Sequence, residues 1–384
     1  MKIVLAGYIV GYPLGGMTWH HLNYLLGLRS LGHEVTYLED GAYLPPFDPS
    51  TGDSGNPAYG VEYLRQTLAK YGLDNTPWHY RFGEFSAGLG VEEICRRLRE
   101  ADLLICVSGV TPLDWYPRPR RSLVIDTDPV FTQLRMARDE AFLAYYRSFT
   151  TVATFGRLIG TPASPLPTHG LRWIPTNQPI SLAHWPALPN PSRAFTTIGK
   201  WEHSAARDVA FQGKTFASSK SAEWMKLLWL PLSAPSGFRL AMAVERMPDD
   251  VRQTFESAGW RLDDAHAVSR DPATFRIYIA DSAGELTVAK QIYAGLPSGW
   301  FSDRSACYLA TGRPVVTQSS GFEQWLPIGE GLFCFKTLDE AAEALRRVGA
   351  SPDEHRRYCR AARRIAETYF DAEKVLTELL SAAA

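Results

Sequence analysis

Two adjacent glycines, Gly15 and Gly16, precede a helical pattern that carries His20 near its start. Because glycine has no Cβ, the backbone here can turn tightly and approach a bound ligand closely. The first N–H groups of the following helix have no partner within the helix, and such an end binds anions such as phosphate. We therefore interpret the glycine pair as a candidate phosphate contact and His20 as a candidate general base. A tight turn that contacts no ligand is the alternative explanation.

Polar residues also follow two strand-like apolar runs, 103–107 and 122–126. Ser108 comes directly after the first run, and Asp126 and Asp128 lie at the end of the second. In open α/β sheets the ligand lies at the carboxyl ends of the strands, so we predict that these side chains face the same site as the glycines. Either aspartate could take a proton from an acceptor hydroxyl, in competition with the histidine. Asp126 alternatively caps a helix or fixes a turn.

A third group of polar residues lies in the segment 298–304, Ser-Gly-Trp-Phe-Ser-Asp-Arg. Asp303 can cap a helix that begins there, and the helix N-terminus with the Arg304 guanidinium would suit a diphosphate. Lys290 and Lys220 could supply further positive charge. Alternatively, Asp303 and Arg304 form a surface cap and the two lysines are solvated.

The composition excludes several classes of protein. The chain has 384 residues with 40 basic and 41 acidic side chains, and this near-neutral balance argues against a dedicated nucleic-acid binder. The five cysteines form no C-x-x-C pair and the nine histidines lack metal-ligand spacing, so we expect no disulfide framework, metal site or bound cofactor. The absence of G-x-G-x-x-G gives no reason to expect NAD or FAD. Without a signal peptide, or an apolar run of the roughly 18 residues that a membrane span needs, we expect a cytoplasmic protein.

Apolar runs that suit strands alternate with helical patterns along the chain, which predicts an α/β protein. The predicted strands are 2–8, 35–38, 103–107, 122–126, 195–198, 275–279, 285–289, 313–317 and 331–335. After the helix that follows the glycine pair, the predicted helices are 61–71, 91–100, 305–311, 338–348, 352–369 and 371–380. The length suits two domains of about 180 residues, and the proline-rich segment 173–191 is the predicted linker. We predict domains at 1–178 and 179–352, C-terminal helices at 353–384, and a ligand cleft between the two domains.

The opening segment resembles the N-terminal pattern of GT-B glycosyltransferases of the family 4 type. The matching residues are Gly15-Gly16, His20, Leu25, Leu28 and Gly32-His33-Glu34-Val35. Residues 310–316, Ala-Thr-Gly-Arg-Pro-Val-Val, with Gly321-Phe322 after them, resemble the A-C-G-x-P-V-V segment and glycine turn of that family's nucleotide-sugar domain. Residues 298–312 and 126–133 are similar to a bacterial subgroup of glycosyltransferase-like proteins with the Ser-Gly-Trp-Phe-Ser-Asp-Arg motif.

The resemblance implies a GT-B fold, in which two Rossmann-like domains face each other and a last helix, here after Asp371, crosses back onto the first domain. It implies metal-independent transfer of a sugar from a nucleotide-sugar donor to a hydroxyl or amine of a small-molecule acceptor, such as a natural product or a cell-envelope intermediate. One feature of the family is missing: alignment on Gly312 puts Gly299 and Cys307 where the family has two glutamates. The donor sugar and the stereochemistry are therefore not implied. A sugar-nucleotide epimerase or hydrolase of the same fold, and a non-catalytic nucleotide-sugar binding protein, stay open as alternatives.

Together these arguments predict three sets of site residues. The predicted catalytic residues are Asp126, Asp128 and His20. The predicted donor-binding residues are Gly15, Gly16, Lys220, Lys290, Ser298, Gly299, Trp300, Ser302, Asp303, Arg304, Gly321 and Phe322. The predicted acceptor-binding residues are Trp19, Ser108 and Phe131. The aromatic residues would stack on a ring of the ligand, and each is alternatively part of the core.

Overall fold

The computed structural model describes residues 1–49, 51–189, 191–202, 207–234 and 236–383. Its first half is built on one sheet of eight strands in the order β4-β3-β2-β1-β5-β6-β7-β8. The pairing of β3 with β4 is antiparallel and the other pairings in this sheet are parallel. The strands are β1 (Lys2–Ala6), β2 (Glu34–Asp40), β3 (Trp78–Phe82), β4 (Phe85–Gly88), β5 (Leu103–Val107), β6 (Ser122–Asp126), β7 (Thr151–Thr154) and β8 (Trp173–Pro175).

The central strands β5 and β6 are buried along their whole length, as expected for parallel strands that helices cover on both faces. The helices of this half are α1 (Gly15–Ser30), α2 (Ala58–Lys70), α3 (Val91–Glu100), α4 (Phe131–Met136) and α5 (Glu140–Arg147). α1 follows β1 directly, so its N-terminus lies at the carboxyl edge of the sheet.

The second half has a parallel sheet of six strands in the order β13-β12-β9-β14-β15-β16. These strands are β9 (Ala194–Lys200), β12 (Gly237–Ala243), β13 (Trp260–Asp264), β14 (Gly284–Thr287), β15 (Val315–Gln318) and β16 (Leu332–Phe335). A separate antiparallel pair is formed by β10 (Val209–Phe211) and β11 (Lys214–Phe216). The helices are α6 (Ser221–Lys226), α7 (Asp249–Ser257), α8 (Ala265–Ser269), α9 (Pro272–Ala280), α10 (Gln291–Gly295), α11 (Asp303–Ala310), α12 (Leu338–Val348), α13 (Pro352–Tyr369) and α14 (Ala372–Ala382).

In both sheets the first strand lies centrally, and the strand order reverses beside it. The chain moves outward from β1 through β2 to β3 and then returns to place β5 on the other side of β1. It repeats this pattern from β9, with β14 on the returning side. Such reversals open a crevice at the carboxyl ends of the strands, where α/β proteins bind ligands.

The last helix returns to the first half of the chain. Asp371 caps α14 by accepting hydrogen bonds from the backbone N–H groups of Glu373 and Lys374. α14 then packs on α1, so closely that a Cβ at Gly27 would lie 2.6 Å from Leu376 Cδ1. The predicted crossing of the C-terminal helix onto the first domain is therefore observed.

One predicted strand is wrong. Residues 275–279 lie in the helix α9 (Pro272–Ala280). The Asp271 carboxylate accepts hydrogen bonds from the backbone N–H groups of Ala273 and Thr274, and proline occupies the first helical turn. A capped start therefore overrides the β-like composition of Phe-Arg-Ile-Tyr-Ile. The strand β8 lies at the beginning of the predicted linker. The predicted domain limits stay predictions.

Candidate functional site

A pocket of the second sheet opens at the carboxyl ends of β14 and β15. Its polar lining includes Lys220, Thr287, Ser302, Arg304 and Ser320, and Trp300 and Phe322 contribute apolar surface. The N-terminal turn of α11 closes one side. Five of the residues predicted to bind the donor therefore line a single pocket: Lys220, Trp300, Ser302, Arg304 and Phe322.

Arg304 is held by an internal ion pair. Its Nε donates to Glu285 Oε1 at 2.6 Å, and its two terminal nitrogens donate to Ile198 O at 2.6 Å and Thr287 Oγ1 at 2.9 Å. Burial disfavours the charged form, but the carboxylate of Glu285 outweighs it and holds the pKa of Arg304 above its ordinary value. The guanidinium thus stays charged, and Glu285 neutralises that charge beneath the pocket. This arrangement differs from the free fork expected for a diphosphate, so the donor role of Arg304 stays a prediction.

Lys220 supplies a second basic group to the pocket. It precedes α6 and is half-buried, and its ammonium has no hydrogen-bond or ion-pair partner in the part of the chain that the structure describes. Burial, with the nearby charge of Arg304, lowers the pKa of Lys220 well below its ordinary value. An anion bound in the pocket would offset the free-energy cost of burying the charged form of Lys220.

The turn at Ser298 and Gly299 contacts the first domain. The backbone N–H of Leu158 donates to Ser298 O at 2.9 Å. Gly299 has a φ of +77°, and a Cβ there would lie 2.7 Å from Leu158 Cγ. Gly321 has a φ of +93°, and its Cβ would lie 2.9 Å from Leu158 Cδ1. The structure therefore gives Ser298, Gly299 and Gly321 a packing role between the domains, and their role in donor binding stays a prediction.

A second contact between the domains joins Lys290, Tyr293 and Trp300 to Asp128 and Phe131. The Tyr293 hydroxyl donates to the Asp128 carboxylate, and Lys290 Nζ lies 3.5 Å from Asp128 Oδ1. The Lys290 ammonium lies 4.6 Å from the centre of the Phe131 ring, a cation–π contact. Trp300 stacks on Tyr293 with ring centres 4.4 Å apart. Asp128 is more than half exposed, so its carboxylate stays accessible from solvent.

A third contact between the domains joins His20 to Asp303. His20 Nδ1 lies 3.2 Å from Asp303 Oδ2, and Nε2 lies 3.4 Å from Ser108 Oγ. Ser108 Oγ is in turn 2.7 Å from Thr127 Oγ1. Burial alone would raise the pKa of Asp303, but the hydrogen bond and charge of His20 and the contacts of Arg304 outweigh it, so the pKa lies below its ordinary value. The structure brings His20, Ser108 and Asp303, predicted separately, into one hydrogen-bonded chain.

Asp126 lies away from the pocket, inside the first domain. It is 1% exposed. Its carboxylate accepts hydrogen bonds from Thr132 Oγ1 at 2.6 Å, Gln133 Nε2 at 2.9 Å and Thr154 Oγ1 at 2.9 Å. Burial raises the pKa of Asp126 to about 6 even though these bonds favour the charged form. These contacts favour the alternative that Asp126 fixes the turn that carries Asp128.

The predicted ligand contacts at the start of α1 face protein. A Cβ at Gly15 would lie 2.5 Å from the backbone oxygen of Asp271, and one at Gly16 would lie 3.0 Å from the Phe275 ring. The Trp19 side chain is 1% exposed and donates its Nε1–H to Pro272 O at 2.8 Å. Each residue therefore packs against the start of α9, and a ligand would reach them only after the domains separate.

Sequence reasoning did not single out Glu285, Tyr293 or Glu39. The sequence does contain a signal for Glu285, because it is the one charged residue in an otherwise apolar predicted strand. A charged residue in a buried strand indicates an oppositely charged partner nearby. Glu39 is buried and accepts hydrogen bonds from the backbone N–H groups of Val10 and Gly11, so it fixes the loop before α1. Burial raises the pKa of Glu39 to about 7. Tyr293 carried no sequence pattern that would have identified it.

The described residues contain neither a metal-binding cluster nor a membrane-spanning helix. No group of three or more His, Cys, Asp or Glu side chains in the described ranges is placed to hold a metal ion. Within those same ranges, no helix combines the length and the apolar character required to cross a membrane.

Comparison with known proteins supports the fold. Residues 242–381 match the family model described as "Glycosyl transferase-like". No curated protein gives a significant match to the sequence.

Several solved structures share the architecture at low sequence identity. AviGT4, a glycosyltransferase involved in avilamycin A biosynthesis, matches with a TM-score of 0.60 and 14% identity over 100% of this chain and 97% of that one. Sucrose-phosphate synthase from Thermosynechococcus elongatus matches with a TM-score of 0.54 and 14% identity over all of both chains. An alpha-glucosyltransferase in complex with UDP and a 13-mer DNA matches with a TM-score of 0.59 and 10% identity over 100% and 99%. The chain thus has the two-domain fold of these glycosyltransferases, which confirms the predicted GT-B architecture.

Proposed function

We propose that this protein is a glycosyltransferase that moves a sugar from a nucleotide-sugar donor to a hydroxyl or amine of a small-molecule acceptor without a metal ion. The observation that carries the proposal is Lys220, a half-buried lysine without a partner among the described residues, in a pocket at the carboxyl edge of the second sheet. The family model matches residues 242–381, which include the other lining residues of this pocket but not Lys220. The alpha-glucosyltransferase structure of similar fold is a complex with UDP.

The pocket suits a diphosphate for electrostatic reasons. Lys220 can donate to phosphate oxygens, and the N-terminal turn of α11 presents backbone N–H groups and a partial positive charge to the same place. The Arg304–Glu285 pair lies beneath as a fixed and nearly neutral support. Trp300 and Phe322 at the pocket wall give apolar surface to the nucleoside or the sugar.

The reaction consists of one bond formed and one bond broken at the anomeric carbon of the donor sugar. The acceptor oxygen or nitrogen forms a bond to this carbon and loses its proton to a base of the first domain. The bond from this carbon to the diphosphate oxygen breaks, and its electron pair leaves with the nucleoside diphosphate. A cation beside the leaving group stabilises the charge that develops there, which is the role we assign to Lys220.

The acceptor would approach from the first domain, across the cleft from Lys220. Ser108 and Asp128 are both accessible on that side, and Phe131 lies beside Asp128. A small acceptor from natural-product or cell-envelope biosynthesis, handled in the cytoplasm, fits the bacterial-type resemblance and the avilamycin A role in the name of one structural neighbour.

A ligand screen followed by product analysis tests the proposal. The melting temperature is measured with UDP, GDP, ADP and dTDP and with their sugars, because a ligand that binds the folded state raises it. The stabilising nucleotide sugar is then incubated with a panel of acceptors and the products are identified by mass spectrometry. Transfer of the sugar mass to an acceptor supports the proposal, and the absence of any stabilising nucleotide contradicts it.

The same products separate the alternatives. An epimerase converts the nucleotide sugar without an acceptor, and a hydrolase releases the free sugar whether or not an acceptor is present. A non-catalytic binding protein is stabilised by the ligand but leaves it unchanged.

A further inference from the structure

We infer that Asp303, His20 and Ser108 form a proton relay between the two domains that removes the proton from the acceptor, a role that rests on the proposed function. Ser108 faces the acceptor, His20 receives the proton, and Asp303 is a positioning residue for His20. Two members come from the first domain and one from the second. The base is therefore complete only when the domains are in contact.

The distances define the direction of the relay. Asp303 Oδ2 lies 3.2 Å from His20 Nδ1, so the carboxylate accepts the Nδ1–H hydrogen and leaves Nε2 without a proton. Nε2 then faces Ser108 Oγ at 3.4 Å, within reach of the serine O–H. The His20 side chain is 5% exposed, whereas Ser108 is half-buried at the cleft. Ser108 is consequently the member that an acceptor can touch.

The proton moves in two coupled steps. The acceptor hydroxyl gives its proton to Ser108 Oγ as its oxygen bonds to the anomeric carbon of the donor. Ser108 gives its own proton to His20 Nε2 in the same event. The resulting imidazolium is stabilised by the Asp303 carboxylate and later returns the proton to water.

Backbone geometry supports a special role for Ser108. Its φ is +67°, in the left-handed region that favours glycine, and Gly109 follows with a φ of +61°. A serine keeps this unfavourable backbone conformation only when contacts with the surrounding structure hold it there. Such residues cluster at functional sites. Here the backbone N–H of Ser108 donates to Ile125 O at 2.9 Å, and this conformation places the side chain between His20 and Thr127.

The ionisable groups around His20 leave Asp303 as the facing charge. Tyr8, His21 and Tyr24 present their rings to His20 at 6.3, 5.1 and 6.4 Å between centres. Burial lowers the pKa of His21 to about 3 and raises those of Tyr8 and Tyr24, so all three are neutral at physiological pH. Asp303 also precedes Arg304 of the donor pocket, so the first turn of α11 links donor binding to the position of the base.

Histidine NMR tests the relay in the full chain without any ligand. The signal of His20 is assigned by its loss in His20→Gln, and the ring nitrogen shifts report which nitrogen carries the proton. We expect the Nδ1–H form in the wild type, and the Nε2–H form would overturn the proposal. Asp303→Asn replaces the charged acceptor of the Nδ1–H hydrogen by an amide and should lower the share of the Nδ1–H form. An unchanged share of this form would also overturn the proposal.

Two comparison variants make the result specific. Asp303→Glu retains the carboxylate and should keep most of the Nδ1–H form of His20. Glu245→Gln removes the carboxylate that lies 3.0 Å from His266 Nε2, away from the cleft, and should shift the signal of His266 but not that of His20.

Transfer from the nucleotide sugar found by the ligand screen to the acceptor found by product analysis tests Ser108. We expect Ser108→Ala to lower the rate roughly 10²-fold while the Kd for the donor stays within about twofold, since general-base catalysis supplies factors of this size. An unchanged rate would overturn the relay. If the wild type transfers no sugar to any acceptor, the proposed function fails, and the ring nitrogen of His20 that carries the proton still decides whether its contacts are those of the relay.

Discussion

The Arg304 guanidinium and the Glu285 carboxylate form a buried ion pair at 2.6 Å, with Glu285 fully buried and Arg304 14% exposed. Removing one partner leaves the other charge buried and uncompensated. We expect Arg304→Met or Glu285→Leu alone to cost about 3–5 kcal/mol in the free energy of unfolding. The double variant should recover more than half of that loss, measured by urea denaturation. A single Arg304→Met variant of normal stability that no longer binds nucleotide would show instead that the guanidinium serves the ligand.

Lys220 should destabilise the empty protein. The pKa of Lys220 is lowered in the folded state. At any pH between that folded pKa and the ordinary lysine value of about 10.4, the unfolded chain therefore holds the lysine proton more completely than the folded chain does. The penalty is therefore present at neutral pH and disappears as the pH rises through that value. Lys220→Met should raise the melting temperature at pH 7, by roughly 2–4 °C for each 1 kcal/mol relieved. The gain should shrink toward pH 10, and a gain that is independent of pH would contradict this explanation.

Asp126 and Asp128 should behave differently although they are two residues apart. Asp126→Ala removes the acceptor of three buried hydrogen bonds, so we expect a loss of about 2–4 kcal/mol in unfolding free energy. Asp128→Ala removes a largely exposed carboxylate and should change stability by less than about 1 kcal/mol. Equal losses of stability in thermal unfolding would contradict the assignment of Asp126 as a structural residue.

The raised pKa of Asp126 also makes the free energy of unfolding depend on pH. A buried carboxyl that titrates at about 6 stabilises the folded state fully below its unfolded pKa of about 3.9. This contribution is lost as the pH rises through about 6. Comparison of wild type with Asp126→Asn across this range should show the difference in unfolding free energy changing with pH, and a constant difference would be inconsistent with it.

Gly15 should be required for contact between the domains. A Cβ there would meet backbone atoms of Asp271, which cannot move aside as the end of a side chain does. We expect Gly15→Ala to cost about 1–3 kcal/mol, and to increase the radius of gyration measured by X-ray scattering as α9 is displaced. Gly16→Ala meets the Phe275 ring and should cost less. Gly237→Ala, where the nearest atom is 3.7 Å away, is the control.

Elements with clear hydrophobic patterns were predictable from the sequence. The predicted ranges 91–100, 103–107 and 122–126 coincide with α3, β5 and β6, because each combines a regular apolar pattern with recognisable ends. β3 was missed because Trp-His-Tyr-Arg-Phe mixes polar and aromatic residues without the apolar run of a buried strand. The strand predicted at 275–279 was wrong because a cap at Asp271 and a proline decide the local structure.

The strand ends that carry the candidate site were predictable from the sequence, but the pairings of its side chains were not. Residue types at the carboxyl ends of strands led to Ser108, Asp128 and Lys290. The partner of His20 is Asp303, 283 residues away in the other domain, and no local pattern encodes such a contact. The sequence likewise predicts a free cation at Arg304, because no local pattern encodes its pairing with Glu285. That pairing depends on how α11 packs on β14.

Calorimetric titration of the nucleoside diphosphate selected by the ligand screen tests the central claim most directly, with wild type, Lys220→Ala and Lys214→Ala compared. Lys214 is the matched control, because it is an exposed lysine on the neighbouring β11. We predict that Lys220→Ala weakens binding about 10- to 100-fold, as expected for loss of a charge-assisted hydrogen bond, while Lys214→Ala leaves Kd unchanged. Equal binding by wild type and Lys220→Ala, or no binding by the wild type, would contradict a donor site in this pocket.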